Sequence, residues 1–253
     1  MEPTQLLHRV LVFDVETTGL IPKFQHKQKQ VDPALSQDQD QDPNPHILQL
    51  SFVIFDTQVW RVVTSYDAYI KVDRDIVISP VISELTGITR AMCEEYGVPI
   101  ADAMREFHDA YMSCDAVVAH NLEFDREMVR IEMARLQNPE YKLVFDPIYE
   151  EKLNKQLYCT MRMGKSVCRI ERIDRFGQTY FKSPKLAELY EHLFSEPAPD
   201  GLHNSLIDTY VCLRCFVRLR FRFDLRKTAF PMTLFSPSTT ISTTLSTSTT
   251  VMM

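Results

Sequence analysis

Runs crowded with β-branched and aromatic residues mark the strands of this chain. Residues 8–16, HRVLVFDVE, form the first, and residues 46–56, HILQLSFVIFD, the second. A third strand is predicted over 65–73, SYDAYIKVD, where alternate residues are apolar. Residues 78–100 then predict short helices broken at Gly87 and Gly97. The period next becomes helical: Ile100, Met104, Phe107 and Tyr111 share one face of a helix over 100–114. A short apolar strand, AVVAH (116–120), follows, and after it a helix from about Leu122 to Leu136 with Phe124, Met128, Ile131 and Met133 among its apolar members. SPKLAELYEHLF (183–194) reads as a helix with a Ser–Pro start, and the last clear helix runs from about Asn204 to Arg222. Strands first, then helices alternating with a short strand, predict an α/β domain built on a mixed sheet.

Two stretches fall outside this pattern. Residues 21–46 are rich in Gln, Asp and Pro and poor in apolar side chains, which predicts a long, mobile surface insertion. From Pro231 to Met253 the chain is largely Ser and Thr without a charged residue, which predicts a disordered tail. One catalytic domain over 1–230 is therefore expected. No run of about eighteen apolar residues and no signal-peptide layout occurs, so the reading is an intracellular protein of cytoplasm or nucleus with no membrane partner.

Cysteine and charge refine the picture. The six cysteines sit mostly in apolar segments, which favours reduced core thiols, and the C-x-x-C of Cys212 and Cys215 has no second pair to complete a zinc site. A net charge of −6 argues against a nucleic-acid partner for the chain as a whole. Locally the balance reverses: residues 151–185 carry nine Lys or Arg against three acids, 9 − 3 = +6, with Tyr158, Phe176, Tyr180 and Phe181 interleaved. That mixture suits a phosphate track with stacking partners, and equally a solvated basic face.

The acids of FDVETTGL (13–20) carry the chemistry. Residues i and i+2 of a strand share a face, so Asp14 and Glu16 project together while Phe13 and Val15 turn to the core. Two carboxylates so close raise each other's pKa unless a cation lies between them, and hard oxygen donors suit Mg²⁺ or Mn²⁺. The pair alone fits equally well at a strand's exposed end. Further on, AHNLEFD puts Asp125 in the first turn of a helix, and HNSLID sets His203 just before a helix and Asp208 within its first turns. Singly, each is an ordinary helix-start residue.

In order, FDVETTGL, AHNLEFD and HNSLID resemble the three motifs of the DEDDh family, the DnaQ-like 3′–5′ exonucleases typified by the proofreading epsilon subunit of bacterial DNA polymerase III. The resemblance spans roughly Arg9 to Cys215, and the blocks ILQLSF, SELTGIT, CTM and SPKLAELYEHLF are also similar to recurring segments of that family. It departs at the long 21–46 insertion and at the Ser/Thr tail.

The resemblance implies a ribonuclease H-like fold, a central mixed sheet flanked by helices. It implies that Asp14, Glu16, Asp125 and Asp208 hold two divalent cations, with His203 as general base for the attacking water. Thr17 and Thr18 would meet the terminal nucleotide, Leu20 would wedge against its base, and Asn121 with Phe124 would line the groove. The expected substrate is the 3′ end of single-stranded or frayed DNA, cut to nucleoside 5′-monophosphates, with a DNA polymerase or a second copy as further partner. A ribonuclease of the same family and a silent nucleic-acid-binding module are the alternatives. The silent module would have lost an acid or the His, and all five are present.

Overall fold

The computed structural model describes residues 7–22 and 42–228. Strand β1, Arg9–Thr17, lies at the centre of a five-stranded sheet of order β3-β2-β1-β4-β5. On one side it pairs antiparallel with β2 (Ile47–Asp56), and on the other parallel with β4 (Ala116–Ala119). β3 (Arg61–Tyr69) runs antiparallel along β2, and β5 (Gln156–Cys159) parallel along β4, each forming an edge. This is the predicted α/β arrangement, a mixed ribonuclease H-like sheet flanked by helices.

β1 and β2 read as continuous apolar runs because both of their faces are covered. In β2 only Asp56 escapes burial. Helices α3 (Ile100–Met112) and α4 (Leu122–Leu136) cover one face, where Phe13, Val15 and Phe52 meet Met104, Phe107, Tyr111 and Met128. The rings of Phe13 and Phe107 stand 4.9 Å apart edge to face, and Phe107 also meets Phe52 and Phe145. The opposite face, Val10, Val12, Val53 and Phe55, packs under α7 (Leu186–Phe194) and α8 (Ser205–Phe221). α8 is buried almost all round, with Cys212 and Cys215 inside its packing, so the C-x-x-C is a pair of free core thiols. Between β3 and α3 in chain order, α1 (Pro80–Thr86) and α2 (Arg90–Tyr96) end at Gly87 and Gly97 as their sequence predicts. Gly87 supplies the left-handed φ of 73° that closes α1.

Several expectations shift. The third strand begins at Arg61 rather than 65 and stops at Tyr69, because it leaves the turn after β2 already paired, Asp56 against Arg61. As an edge strand it is largely exposed, so apolar alternation marks it poorly. The helix expected from Ser183 starts at Leu186: the Glu188 carboxylate accepts from the Lys185 N–H at 2.7 Å, which makes Lys185 the cap and leaves Ser183–Pro184 outside. The insertion read over 21–46 is not uniform. Residues 23–41 lie outside the described residues, but 42–46 are fastened to the end of α4 by Arg135, whose guanidinium donates to Asp42 Oδ2 at 2.8 Å, Asn44 O at 3.0 Å and Pro45 O at 3.0 Å. The tail predicted over 231–253 also lies outside the described residues.

The basic stretch holds elements that its sequence hid: α5 (Pro147–Lys152), β5, α6 (Thr160–Cys168) and a hairpin of β6 (Glu171–Ile173) and β7 (Thr179–Phe181). Not all of its cations face solvent. Lys155 is buried, its ammonium donating to the Tyr111 carbonyl at 2.6 Å and to that of Cys114, over the Tyr111 ring. Arg162 pairs with Glu123, and Lys182 with Glu188. No helix among the described residues is long and apolar enough to cross a membrane.

Because Phe107 meets the rings of Phe13, Phe52, Tyr111 and Phe145, Phe107→Ala is expected to cost about 3–5 kcal/mol in urea unfolding. A loss below about 1 kcal/mol would show that these rings repack independently of it.

Candidate active site

Along β1 the face that meets α8 reads Val10, Val12, Asp14, Glu16, apolar beneath the middle of the helix and acidic where the helix begins. The switch follows from the period of the strand and from where α8 starts. There Ser205 fixes helix to strand: its hydroxyl donates to the Asp14 carbonyl at 2.6 Å, and its N–H donates to Gln49 Oε1 at 3.2 Å. One turn on, the Thr209 hydroxyl donates to Ser51 O at 3.3 Å. Asp208 lies between these contacts, in the first turn of α8.

Oxygens of Asp14, Glu16 and Asp208 lie within 4.8 Å of one another. Asp125, 3% exposed in the first turn of α4, stands beside them and adds its charge to that felt by Asp14 and Glu16. Burial, then mutual repulsion, drives these groups upward. Glu16 rises to about 8 through burial and the charges of Asp208 and Asp125. Asp125 rises to about 8, mainly through burial, despite hydrogen bonding from the backbone of Val15 and from its own N–H. Asp208 rises to about 7 through burial, opposed by the His203 N–H. Asp14 is pushed well above the carboxylate range by burial and by all three neighbours.

Among the described residues no lysine or arginine stands among the charges that move these four carboxyls. Asp208 Oδ2 accepts from the His203 N–H at 3.3 Å, yet its Oδ1 is buried with no hydrogen-bond partner among the described residues. A buried, unpaired carboxylate oxygen facing further carboxylates is a strong desolvation cost unless a cation completes it. An all-oxygen donor set fits a hard divalent ion such as Mg²⁺ or Mn²⁺.

His203 sits just before α8 with φ 71°, its side chain exposed and without a hydrogen-bond partner among the described residues. His120, just before Asn121, is spent on structure. Its Nδ1 meets the Thr160 hydroxyl at 2.9 Å and its Nε2 the Pro184 carbonyl at 3.2 Å, and burial pushes its pKa down to about 4.

The expected nucleotide contacts divide. A register shift between Glu16 and Thr17 precedes the last pair of the β1–β2 ladder, Thr17 against Ile47, a bulge of the kind that re-aims chains beside active sites. Thr17 is buried and its hydroxyl donates to Gly19 O at 2.7 Å. Thr18 is tied to His46 by a reciprocal pair, N–H to His46 O at 2.9 Å and Oγ1 from His46 N–H at 2.9 Å. Thr18 and Leu20 line an open cleft of about 320 Å³ with 42–46 and 75–77, and Leu20 is 83% exposed. Asn121 opens α4 with φ 71° and an exposed side chain that caps nothing, whereas Phe124 is partly buried against the α3–α4 core. Sequence reasoning missed the residues behind the acids: Ser205, and Gln49 and Ser51, which both donate to the Asp67 carboxylate, at 2.8 and 2.7 Å. The available signal was a Gln and a Ser inside the otherwise apolar ILQLSF.

A family model described as Exonuclease (RNase_T) matches residues 11–216. The chain belongs to the exonuclease family. Among solved structures, the chain resembles E. coli exonuclease I in complex with a dA16 oligonucleotide at a TM-score of 0.57 and 17% identity, over 84% of this chain and 41% of that one. A product-bound structure of exonuclease I matches at a TM-score of 0.58 and 17% identity, over 86% of this chain and 45% of that one. The family member described here thus spans less than half the length of those relatives, and the likeness is one of fold. No curated protein matches the chain in sequence.

Carboxyls with raised folded-state pKa keep protons that the unfolded chain has released, so stability falls as pH climbs from the unfolded values of about 4 toward the folded values of about 7 to 8. The melting temperature in chelator is expected to drop across that window, and Mg²⁺ or Mn²⁺ to restore it above pH 7. Asp208→Asn is expected to raise the metal-free melting temperature by about 2–4 °C and to abolish most of the metal-induced gain. A flat pH profile in chelator would contradict the repulsion described here.

Proposed function

We propose that this exonuclease-family chain is a metal-dependent 3′–5′ exonuclease of the DEDDh type, acting on 3′ ends of single-stranded or frayed DNA and releasing nucleoside 5′-monophosphates. The observation that carries the reading is the carboxylate cluster with its orphaned Asp208 oxygen. Asp14, Glu16, Asp125 and Asp208 would hold two divalent cations, Mg²⁺ or Mn²⁺. Bound there, such ions supply positive charge to the attacking and leaving oxygens of a phosphodiester.

The chain's own residues do the rest. β1 holds Asp14 and Glu16 rigidly at the centre of the sheet, and Ser205 holds Asp208 against them. His203, on a backbone tied to Asp208, takes the proton of the attacking water, a role that imidazole fills more often than any other side chain. His120, held neutral by burial, does not compete for that role. The cleft beside Thr18 and Leu20 receives the terminal nucleotide, with the exposed Leu20 side chain against the base. Thr17 contributes by closing the turn, so the backbone there meets the nucleotide, and Asn121 and Phe124 line the groove from the start of α4. The choice of DNA is supported by the oligonucleotide in the fold relative, dA16.

With 5′-labelled single strands, stepwise shortening of DNA that chelator stops is expected, with RNA degraded slowly or not at all; shortening of RNA alone would replace the substrate. Asp14→Ala is expected to lower kcat by about 10³-fold or more, and undiminished turnover in that variant would remove the metal assignment. His203→Ala is expected to slow turnover about 10²- to 10⁴-fold while the rise in melting temperature with Mg²⁺ persists.

A further inference from the structure

The β6–β7 hairpin is too small to be explained as core. No residue from 171 to 180 is buried, and Ile173, Phe176 and Tyr180 are 73%, 72% and 49% exposed. Its shape is nonetheless fixed. Asp174 closes the tip, its carboxylate accepting from the N–H groups of Phe176 at 2.8 Å and Gln178 at 2.9 Å. At the base, the Lys182 N–H donates to Ile170 O at 2.9 Å, and the Lys182 ammonium holds Glu188 at the start of α7.

The surface so presented is basic and aromatic. Residues 165–182 carry five cations (Lys165, Arg169, Arg172, Arg175, Lys182) and two acids (Glu171, Asp174), 5 − 2 = +3 in a chain of net −6. One acid is engaged in the turn, while Arg169, Arg172 and Arg175 form no ion pair among the described residues. Arg172 lies directly across the ladder from Tyr180, so guanidinium and ring share one face. Arg175 lies over the Phe176 ring at 4.7 Å. Exposed rings interleaved with unpaired guanidinium groups match the alternation of base and phosphate in a single strand.

The position fits as well. The hairpin returns to the body through Pro184, whose carbonyl accepts from His120, and His120 adjoins Asn121 and the helix that carries Asp125. We propose that the β6–β7 hairpin is a docking arm for single-stranded nucleic acid, gripping phosphates with Arg172 and Arg175 and stacking bases on Phe176 and Tyr180, outside the catalytic cluster. The strand it holds is the 5′-ward continuation of the one whose 3′ end enters the site, and only that last point rests on the nuclease reading above.

The test is binding by the full chain in chelator, where no turnover is needed. Fluorescence anisotropy with a labelled 20-nucleotide single strand would compare wild type, Phe176→Ala/Tyr180→Ala, and Arg172→Gln/Arg175→Gln, each first checked for an unchanged melting temperature. The aromatic variant is expected to bind about tenfold or more weakly. The arginine variant is expected to bind more weakly with a log–log salt slope smaller by about 1.4. With Mg²⁺, KM for the long strand should rise while kcat and the rate on a dinucleotide stay unchanged. Wild-type affinity and salt slope in both variants would overturn the proposal, as would unchanged oligonucleotide binding accompanied by loss of self-association, which would make the hairpin a protein contact. Absence of turnover in wild type with intact, hairpin-dependent binding would count against the catalytic reading and leave the arm standing.

Discussion

Four carboxylates in one small volume repel each other and resist losing water, and everything around them is arranged to hold them there regardless. Burial alone lifts each of these acids, and their neighbours' charges lift Asp14 and Glu16 further. A flexible chain would relieve that strain by moving apart. This one has little room to move: two acids lie on the central strand of the sheet, and the others begin two long helices packed on it. Apolar burial on both faces of β1 thereby opposes electrostatic repulsion at its carboxyl end.

α8 is restrained along its whole length. Its start is hydrogen-bonded to β1 and β2 through Ser205 and Thr209. Towards its far end Arg214, fully buried, donates to Asp224 at 3.0 Å and to Glu196 at 2.5 Å while lying on the Phe194 ring at 3.7 Å. A buried guanidinium with both carboxylates in place adds direction more than net stability. Its contribution is to stop the helix that carries Asp208 from sliding along the sheet.

Much of this was legible in the sequence, for identifiable reasons. Asp14 and Glu16 stood out because charges interrupt an apolar strand, and the order of Asp125, His203 and Asp208 behind them made the constellation specific. The central strands were legible because burial on both faces leaves long apolar runs. The edges were harder: β3 was read with its ends misplaced and β5 was hidden, since each lacks a second neighbour among the described residues, and β5 follows a lysine that reads as surface but is inside. Ser205 was hidden, and Gln49 stood out only as a polar break in ILQLSF, because buried polar residues announce themselves through partners distant in sequence.

The reciprocal hydrogen bonds between Thr18 and His46 have a further consequence. They bring together two points 28 residues apart, and Arg135 anchors the returning end a few residues earlier. The free energy of closing such a loop grows only with the logarithm of its length, about 0.6 kcal/mol per doubling. Whatever length of chain runs between those two points, the same bracket can close it, so this connection can be lengthened, trimmed or rewritten in evolution at little thermodynamic cost while β1 and its carboxylates stay where they are.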